Sequence, residues 1–246
     1  MSDTVLLSIT RYDPEQHTKP VFQSYAVPYR EDWVVLDALN HIKENLDGTL
    51  TYRWSCHMAV CGSCGMMIDG EPKLSCHAFL RDYRNKPIRV EPLEGFPIER
   101  DLVVGIDSFI DKLASVKPYL IAREKRALSE GEYLQTPAQL AVYKHYSQCF
   151  NCLLCYAACP QTKLNEDFIG PAALALAHRY DLDNRDCGKN ARAETVTSNE
   201  GIWECTFAGA CSRVCPKHVD PAAAIQHTKF SASVDWFKSL LEGSSS

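Results

Sequence analysis

A run of four cysteines in the middle of the chain constrains the fold more than any other feature. Residues 149–160 read Cys-Phe-Asn-Cys-Leu-Leu-Cys-Tyr-Ala-Ala-Cys-Pro, which is the spacing C-x2-C-x2-C-x3-C-P. This spacing is typical of loops that hold iron–sulfur cubanes, in which three cysteines bind one cluster and the fourth binds a second cluster. The run therefore predicts a partner run elsewhere in the chain.

The partner run lies at residues 205–216 and differs at one position. It has the same spacing, but Ala208 stands where the second cysteine is expected. If the last cysteine of each run binds the cluster of the other run, one set has four thiolates and the other has three. The complete set, predicted to bind a 4Fe-4S cluster, is Cys149, Cys152, Cys155 and Cys215, and the incomplete set is Cys159, Cys205 and Cys211.

Ala208 leaves two interpretations of the incomplete set open. Alanine has no lone pair to offer iron, so a fourth iron would be labile and the resting cluster would be 3Fe-4S. Alternatively, a fourth iron with a water ligand would form the open Lewis-acid site of a dehydratase-like enzyme. The first interpretation is favoured, because the sequence of this run places no carboxylate or imidazole for acid–base work.

A third set of cysteines lies in the first half of the chain. Residues 56–64 contain C-x4-C-x2-C, and a further cysteine follows at position 76. This is plant-type ferredoxin spacing and predicts a 2Fe-2S cluster. Gly62 and Gly65 would let the backbone pass close to the cluster, and the Asp69-Gly70 turn predicts a hairpin that returns the last cysteine to it. The four ligands would be Cys56, Cys61, Cys64 and Cys76.

Other uses of cysteine and other classes of function are less consistent with the sequence. Disulfide scaffolds suit short exported chains, whereas this chain has 246 residues and no recognisable signal peptide at its start. Zinc sites need paired C-x2-C knuckles, and the twelve cysteines follow a different pattern. Cys187 lies outside all three sets and has no assigned role. A net charge of −5 argues against binding to nucleic acid.

Hydrophobic periodicity predicts an α+β chain. The first half should contain a hairpin from segments 5–10 and 24–27, a helix over 33–46 capped by Asp32, and a strand over 87–91. The buried face of that helix would carry Val35, Leu39, Ile42 and Leu46. From residue 101 onward the periodicity is helical, starting with Leu102, Ile106, Phe109 and Leu113. Capping signals predict further helices after Thr136, over 171–180 and over 221–226, with both cysteine runs in irregular loops.

Three clusters in one chain of this size imply an electron relay. The sequence contains no glycine-rich nucleotide fingerprint and no nucleophile–base set. We therefore assign no catalytic residue to this chain and expect it to lie between two partners.

Several longer motifs resemble the iron–sulfur subunit of fumarate reductase and succinate dehydrogenase. They lie at residues 52–67, 97–104, 155–160, 168–173 and 215–225. The resemblance implies a β-grasp plant-type 2Fe-2S ferredoxin domain over residues 1–105, followed by an all-α bacterial-type ferredoxin domain over residues 106–246. It also implies that 2Fe-2S, 4Fe-4S and 3Fe-4S clusters connect a flavoprotein subunit carrying covalent FAD to a quinone at a membrane anchor. The chain would then be peripheral, on the cytoplasmic side of the cytoplasmic membrane.

The same resemblance implies a quinone pocket beside the three-cysteine set. By position its residues would be Thr206, Phe207, Gln226 and Lys229, although an exposed lysine or a buried phenylalanine commonly has no such role. A cation near a quinone carbonyl would stabilise negative charge and supply a proton. Aerobic succinate dehydrogenases often carry His and Trp where this chain has Thr206 and Leu164. The sequence therefore favours the fumarate-reductase branch, with menaquinol as the expected donor, over a succinate dehydrogenase that reduces a quinone such as ubiquinone.

Overall fold

The computed structural model describes residues 4–83, 86–123 and 126–243. The chain forms two compact units, one made of Met1–Asp107 with Phe150–Ala158 and the other of Ser108–Cys149 with Cys159–Ser246. The short segment Phe150–Ala158 therefore belongs with the first unit although it lies far along the chain. The division into domains after residue 105 stays a prediction.

A mixed sheet forms the centre of the first unit. Its strands are β1 (Thr4–Arg11), β2 (Val21–Pro28), β3 (Gly65–Ile68), β4 (Glu71–Leu74) and β5 (Ile88–Glu91), in the order β2-β1-β5-β3-β4. β1 and β5 are parallel, and the other neighbours are antiparallel. The predicted opening hairpin, second hairpin and strand near residues 87–91 are confirmed.

The core of this unit follows from alternation in β1 and from one face of a helix. Val5, Leu7 and Ile9 point to the same side of the sheet and are buried. Helix α1 (Val35–Asn45) packs against them with a buried face that includes Leu39 and Ile42. A mixed sheet crossed by a helix is the arrangement expected for a β-grasp fold.

Two details of α1 differ from the prediction. The helix begins at Val35, and its N-terminus is capped by Asp37 rather than by Asp32. The Asp37 carboxylate accepts a hydrogen bond from the backbone N–H of Val34 at 2.9 Å. Leu46, predicted on the buried face, is 52% exposed. It lies one residue beyond the last helical residue, so helical periodicity no longer directs its side chain.

The predicted helical periodicity from residue 101 is wrong over its first part. Residues there form a short antiparallel ribbon, β6 (Ile98–Arg100) with β7 (Val103–Val104), and helix α2 (Asp107–Ser115) begins only afterwards. Asp101, at the turn, has a φ of 47°. Its carboxylate accepts hydrogen bonds from Arg11 Nε and from the backbone N–H groups of Tyr12 and Thr51. These tertiary contacts override the local pattern.

The remaining elements are helical. They are α3 (Pro137–Tyr143), α4 (Leu154–Ala158), α5 (Pro160–Leu164), α6 (Pro171–Asp181), α7 (Lys189–Val196), α8 (Ala210–Arg213) and α9 (Pro221–Gly243). No strand occurs among the described residues of the second unit, so the predicted α+β class with an all-α second part is confirmed. The cysteine runs are not wholly irregular, because α4 and α8 lie within them and α5 begins at the last residue of the first run. No helix in the described ranges is long and apolar enough to cross a membrane.

Two of the predicted caps are observed, and one helix is longer than predicted. Thr136 Oγ1 accepts a hydrogen bond from Gln139 N at 3.2 Å, which completes the expected capping box of α3. Asp220 Oδ1 accepts one from Ala223 N at 3.0 Å at the start of α9. α9 has 23 residues and extends far beyond the predicted end at residue 226, since residues 227–242 contain neither proline nor glycine.

A fully buried guanidinium stabilises the second unit. The side chain of Arg192 is 0% exposed and forms ion pairs with Asp181 at 2.9 Å and Asp186 at 2.8 Å. It also donates hydrogen bonds to the carbonyl oxygens of Lys117 and Tyr119. The buried charge is thus completely paired, and removing it would leave two carboxylates without their partner.

We expect Arg192→Met to lower the free energy of unfolding by about 3–5 kcal/mol, the usual cost of breaking a buried ion pair from one side. Lys189→Ala is the control, because Lys189 pairs with Asp235 at an exposed site and such pairs contribute at most about 1 kcal/mol. Denaturant unfolding followed by circular dichroism measures both. Equal losses of stability in the two variants would contradict the role of Arg192.

Candidate iron–sulfur sites

The loop after Cys56 surrounds its sulfur with backbone donors. Cys56 Sγ accepts hydrogen bonds from the N–H groups of Met58 at 3.4 Å, Val60 at 3.4 Å and Cys61 at 3.3 Å. These hydrogen bonds, that of Met58 first, lower the pKa of Cys56 to about 6. The loop therefore favours a thiolate, which is the form that binds iron.

The other three cysteines of this set lie around the same loop. Ala59 N donates to Cys76 Sγ at 3.3 Å, and Cys56 N donates to Cys61 Sγ at 3.4 Å. Burial, together with the adjacent Cys64 thiol, raises the pKa of Cys76 to about 12. The structure thus brings all four predicted 2Fe-2S ligands together.

Left-handed residues give this loop its shape. His57 has a φ of 56° and Ala59 a φ of 54°, a conformation that non-glycine residues rarely adopt. The alternation turns successive N–H groups toward the sulfurs, as in an anion-binding nest. The loop is tied to α1, since His57 Nε2 lies 3.1 Å from an oxygen of Asp37.

The first bacterial-type run shows the same alternation. Asn151 and Leu153 have φ values of 57° and 68°. Of the four predicted 4Fe-4S ligands, Cys152 and Cys155 belong to the first compact unit. The remaining two belong to the second unit, where they pack against one apolar cluster of buried residues; these two are Cys149 and Cys215.

The three-cysteine set lies entirely in the second unit. Cys159, Cys205, Cys211 and Ala208 line one small cavity of about 20 Å³. Burial raises the pKa of Cys211 to about 11, and the two neighbouring thiols of the set act in the same direction. The loop again contains an alternating pair of left-handed residues, Phe207 with a φ of 60° and Gly209 with 69°. The three predicted ligands therefore converge, with alanine beside them.

The four residues predicted for a quinone pocket lie next to this cavity. Lys229 Nζ donates a hydrogen bond to the carbonyl oxygen of Cys205 at 2.7 Å. Gln226 Nε2 lies 4.0 Å from Cys205 Sγ. Thr206 and Phe207 line the cavity and have exposed side chains. All four are therefore within reach of one small region, and Lys229 is half-buried rather than a solvated surface charge.

Two further residues at this site were missed from the sequence. Trp203 is 48% exposed, and its ring centroid lies 6.0 Å from Lys229 Nζ. The Glu204 carboxylate accepts a hydrogen bond from the side-chain amide of Gln161. Among described residues, no carboxylate or imidazole lines the cavity itself. No sequence pattern marks either residue, and the available signal was position alone, because Trp203 and Glu204 are the two residues before the predicted ligand Cys205.

The chemistry of the loops fits clusters rather than a single ion. In the ranges that the structure describes, no three His, Cys, Asp or Glu side chains converge tightly enough to hold one metal ion. A cluster does not require such convergence, because its thiolates are divided among several irons, with two thiolates on each iron of a 2Fe-2S cluster and one on each iron of a cubane. Backbone N–H groups directed at sulfur suit an anionic cluster. Cys187 is exposed and lies outside all three loops.

Comparison with known proteins agrees with this organisation. Residues 6–111 match the model of a 2Fe-2S iron-sulfur cluster binding domain, and residues 141–216 match that of a 4Fe-4S dicluster domain. A fumarate reductase iron-sulfur subunit from Escherichia coli O6:H1 is 54% identical over 236 residues, which are 96% of each chain. This chain belongs to the family of fumarate reductase iron–sulfur subunits. The resemblance inferred from its motifs is thereby confirmed.

A more distant sequence relative and a solved structure extend the comparison. A succinate dehydrogenase iron-sulfur subunit from Coxiella burnetii is 35% identical and covers 89% of this chain and 93% of its own. A chain of the Mycobacterium smegmatis Sdh1 complex in the apo form superposes with a TM-score of 0.85 at 24% identity, covering 96% of this chain and 98% of that chain. The latter likeness confirms the fold, a mixed-sheet unit followed by a helical one.

Proposed function

We propose that this chain is the electron-transfer subunit of a quinol:fumarate reductase complex, which relays electrons between a membrane quinone and the FAD of a flavoprotein subunit. The observation that carries the proposal is that all three cysteine loops use the same alternating left-handed backbone, in a chain of this family. The clusters would supply a series of one-electron carriers. The protein's own residues fix the ligands and direct N–H groups at the sulfurs.

The cluster in the three-cysteine set is proposed to be 3Fe-4S. The small cavity there is lined by three thiols and by the methyl group of Ala208, which cannot bind iron. The dehydratase-like alternative needs an acid or base at an open iron. The described residues that line this cavity provide neither a carboxylate nor an imidazole, so the three-iron cluster fits better.

The quinone is proposed to bind beside this cavity. Lys229 can direct its remaining N–H groups outward while one of them holds the Cys205 carbonyl oxygen. Gln226 adds a neutral donor on the same helix, and the exposed ring of Phe207 offers an apolar surface to a quinone ring. Thr206 completes the set at the cavity.

Fumarate reduction with menaquinol as the donor is the proposed physiological direction. The fumarate reductase relative is 54% identical to this chain, whereas the succinate dehydrogenase relative is 35% identical. Thr206 and Leu164 stand where the dehydrogenase branch often has His and Trp. The relay itself conducts both ways, so the alternative is oxidation of succinate with transfer to a quinone.

The partners are proposed to be a flavoprotein with covalent FAD and one or more membrane-anchor subunits, with this chain peripheral on the cytoplasmic side of the membrane. A surface suited to the anchor lies on the end of α9. Residues 235–241 are all exposed, and four of them are large and apolar: Trp236, Phe237, Leu240 and Leu241. An exposed apolar patch of this kind is typical of an interaction site.

The three-iron assignment predicts a paramagnetic centre in the air-oxidised protein, because an oxidised 3Fe-4S cluster has an unpaired spin whereas an oxidised 4Fe-4S cluster is silent in EPR. We expect Ala208→Cys to abolish this signal and to raise the iron content by about one atom, since the fourth ligand is restored. Ala208→Val offers no ligand and should keep the signal. A silent spectrum of the wild-type protein with full iron content would support the open-site alternative instead.

The quinone proposal predicts that Lys229→Ala slows quinol oxidation by roughly 10²-fold, the usual contribution of a positioned proton donor. Fumarate reduction with an artificial donor such as reduced viologen should stay unchanged, as should cluster content. Lys19→Ala is the control, being an exposed lysine between β1 and β2 and outside both the cavity and the end of α9. Equal loss of both activities in Lys229→Ala would refute a role at the quinone.

The docking proposal predicts that Trp236→Ser combined with Phe237→Ser reduces co-purification of the anchor subunits, because the apolar area at the contact falls. Leu134→Ser is the control, since Leu134 is 84% exposed and lies outside α9. The ratio of anchor to flavoprotein in affinity-purified complex measures the effect. An unchanged ratio in the double variant would show that the anchor binds elsewhere.

A further inference from the structure

We propose that Gly62 is a positioning residue that sets the separation between the 2Fe-2S loop and the loop carrying Cys152, and thereby the rate of electron transfer between their clusters. The inference rests on the proposed function, in which both loops hold clusters. It concerns residues of the first compact unit alone, to which both loop segments belong.

The two loops meet at Gly62 with no room for a side chain. A Cβ atom placed on this residue would lie 2.8 Å from Cys152 Cβ, 2.9 Å from Cys152 Cα and 2.9 Å from Phe150 Cδ2. Carbon atoms in normal contact are about 3.5–4.0 Å apart. Two of the three atoms are at or next to the backbone, so a rotamer change cannot relieve the clash. The loops would have to move apart.

A second glycine makes the same approach less tightly. A Cβ on Gly65 would lie 3.1 Å from the carbonyl oxygen of Cys152 and 3.2 Å from Leu154 Cδ2. Gly65 does not have the left-handed φ of Gly62, so glycine is favoured at this position only because there is little room for a side chain. Both glycines of the Cys-Gly-Ser-Cys-Gly motif therefore face the Cys152 segment.

Other contacts hold this segment in place. The ring of Tyr156, on α4, lies 6.4 Å from the ring of Phe96. Cys61 and Cys152, one predicted ligand from each set, line a common cavity of about 230 Å³. Predicted ligands of two different clusters thus line one cavity, and Gly62 is among its lining residues.

The proposed consequence concerns a single electron. With clusters bound in both loops and electrons flowing toward fumarate, one electron would pass from the 4Fe-4S cluster, which would be oxidised, to the 2Fe-2S cluster, which would be reduced, with no bond formed or broken. Tunnelling falls steeply with distance, so a loop displacement smaller than one atom's diameter changes the rate. Gly62 acts through this distance and has no part in ligation.

The test compares Gly62→Ala with Gly70→Ala in the intact complex. Both glycines are left-handed, with φ values of 77° and 80°, but a Cβ on Gly70 meets nothing within 4 Å. The pair therefore separates steric displacement from backbone strain. After full chemical reduction, microwave power saturation of the 2Fe-2S EPR signal reports the distance to the neighbouring paramagnetic cluster. We expect the signal of Gly62→Ala to saturate at several-fold lower power, while Gly70→Ala matches the wild type.

Several outcomes would overturn the proposal. These are unchanged saturation in a fully loaded Gly62→Ala complex, an equal shift in Gly70→Ala, and wild-type clusters that do not relax each other. If Gly62→Ala fails to load its clusters, the same measurement is made on Gly65→Ala. Its contacts are looser, so we expect a smaller decrease in the saturating power, and no decrease would contradict the proposal. Wild-type complex that lacks either cluster would instead refute the proposed function.

Discussion

Each cysteine loop must present backbone N–H groups to negatively charged sulfur, and this requirement determines the local conformation of the chain. A pair of left-handed residues two positions apart occurs in all three loops, and in the first of them backbone N–H groups donate hydrogen bonds to Cys56 Sγ and Cys76 Sγ. Four members of these pairs have side chains larger than that of alanine, and for such residues the left-handed conformation costs of order 1–3 kcal/mol each. They are His57, Asn151, Leu153 and Phe207. Such strain persists only where the surrounding structure enforces it.

Close approach of backbone segments is the second constraint. It explains why the first compact unit includes a segment that lies far along the chain. The segment Phe150–Ala158 lies in the middle of the helical half of the chain, yet it packs with the β-grasp unit. Side chains at positions 62 and 65 would prevent this packing. The first bacterial-type run is therefore divided, with its two central cysteines in one unit and Cys149 and Cys159 in the other.

Sequence reasoning succeeded where the signal is local. Asp69-Gly70 specifies its turn because both residues must have positive φ, and they do. The ligand sets are predictions that rest on spacing, whereas the close approach of Gly62 to Cys152 could not be predicted, because it joins residues about ninety positions apart. The ribbon around Asp101 was missed for a similar reason, since distant donors such as Arg11 stabilise it. Trp203 and Glu204 carry no local pattern at all.

The length of α9 connects the cysteine core to the proposed docking surface. Its first turns pack Ile225 in the core that also contains Cys159 and Cys205, and Lys229 reaches the Cys205 carbonyl one turn later. At about 1.5 Å per residue, 23 residues span roughly 34 Å. A continuous helix transmits position as a rigid rod, so a partner bound to its exposed apolar end would also fix the distance and orientation of the three-cysteine site. Recognition of the anchor and alignment of the quinone would then be consequences of one element.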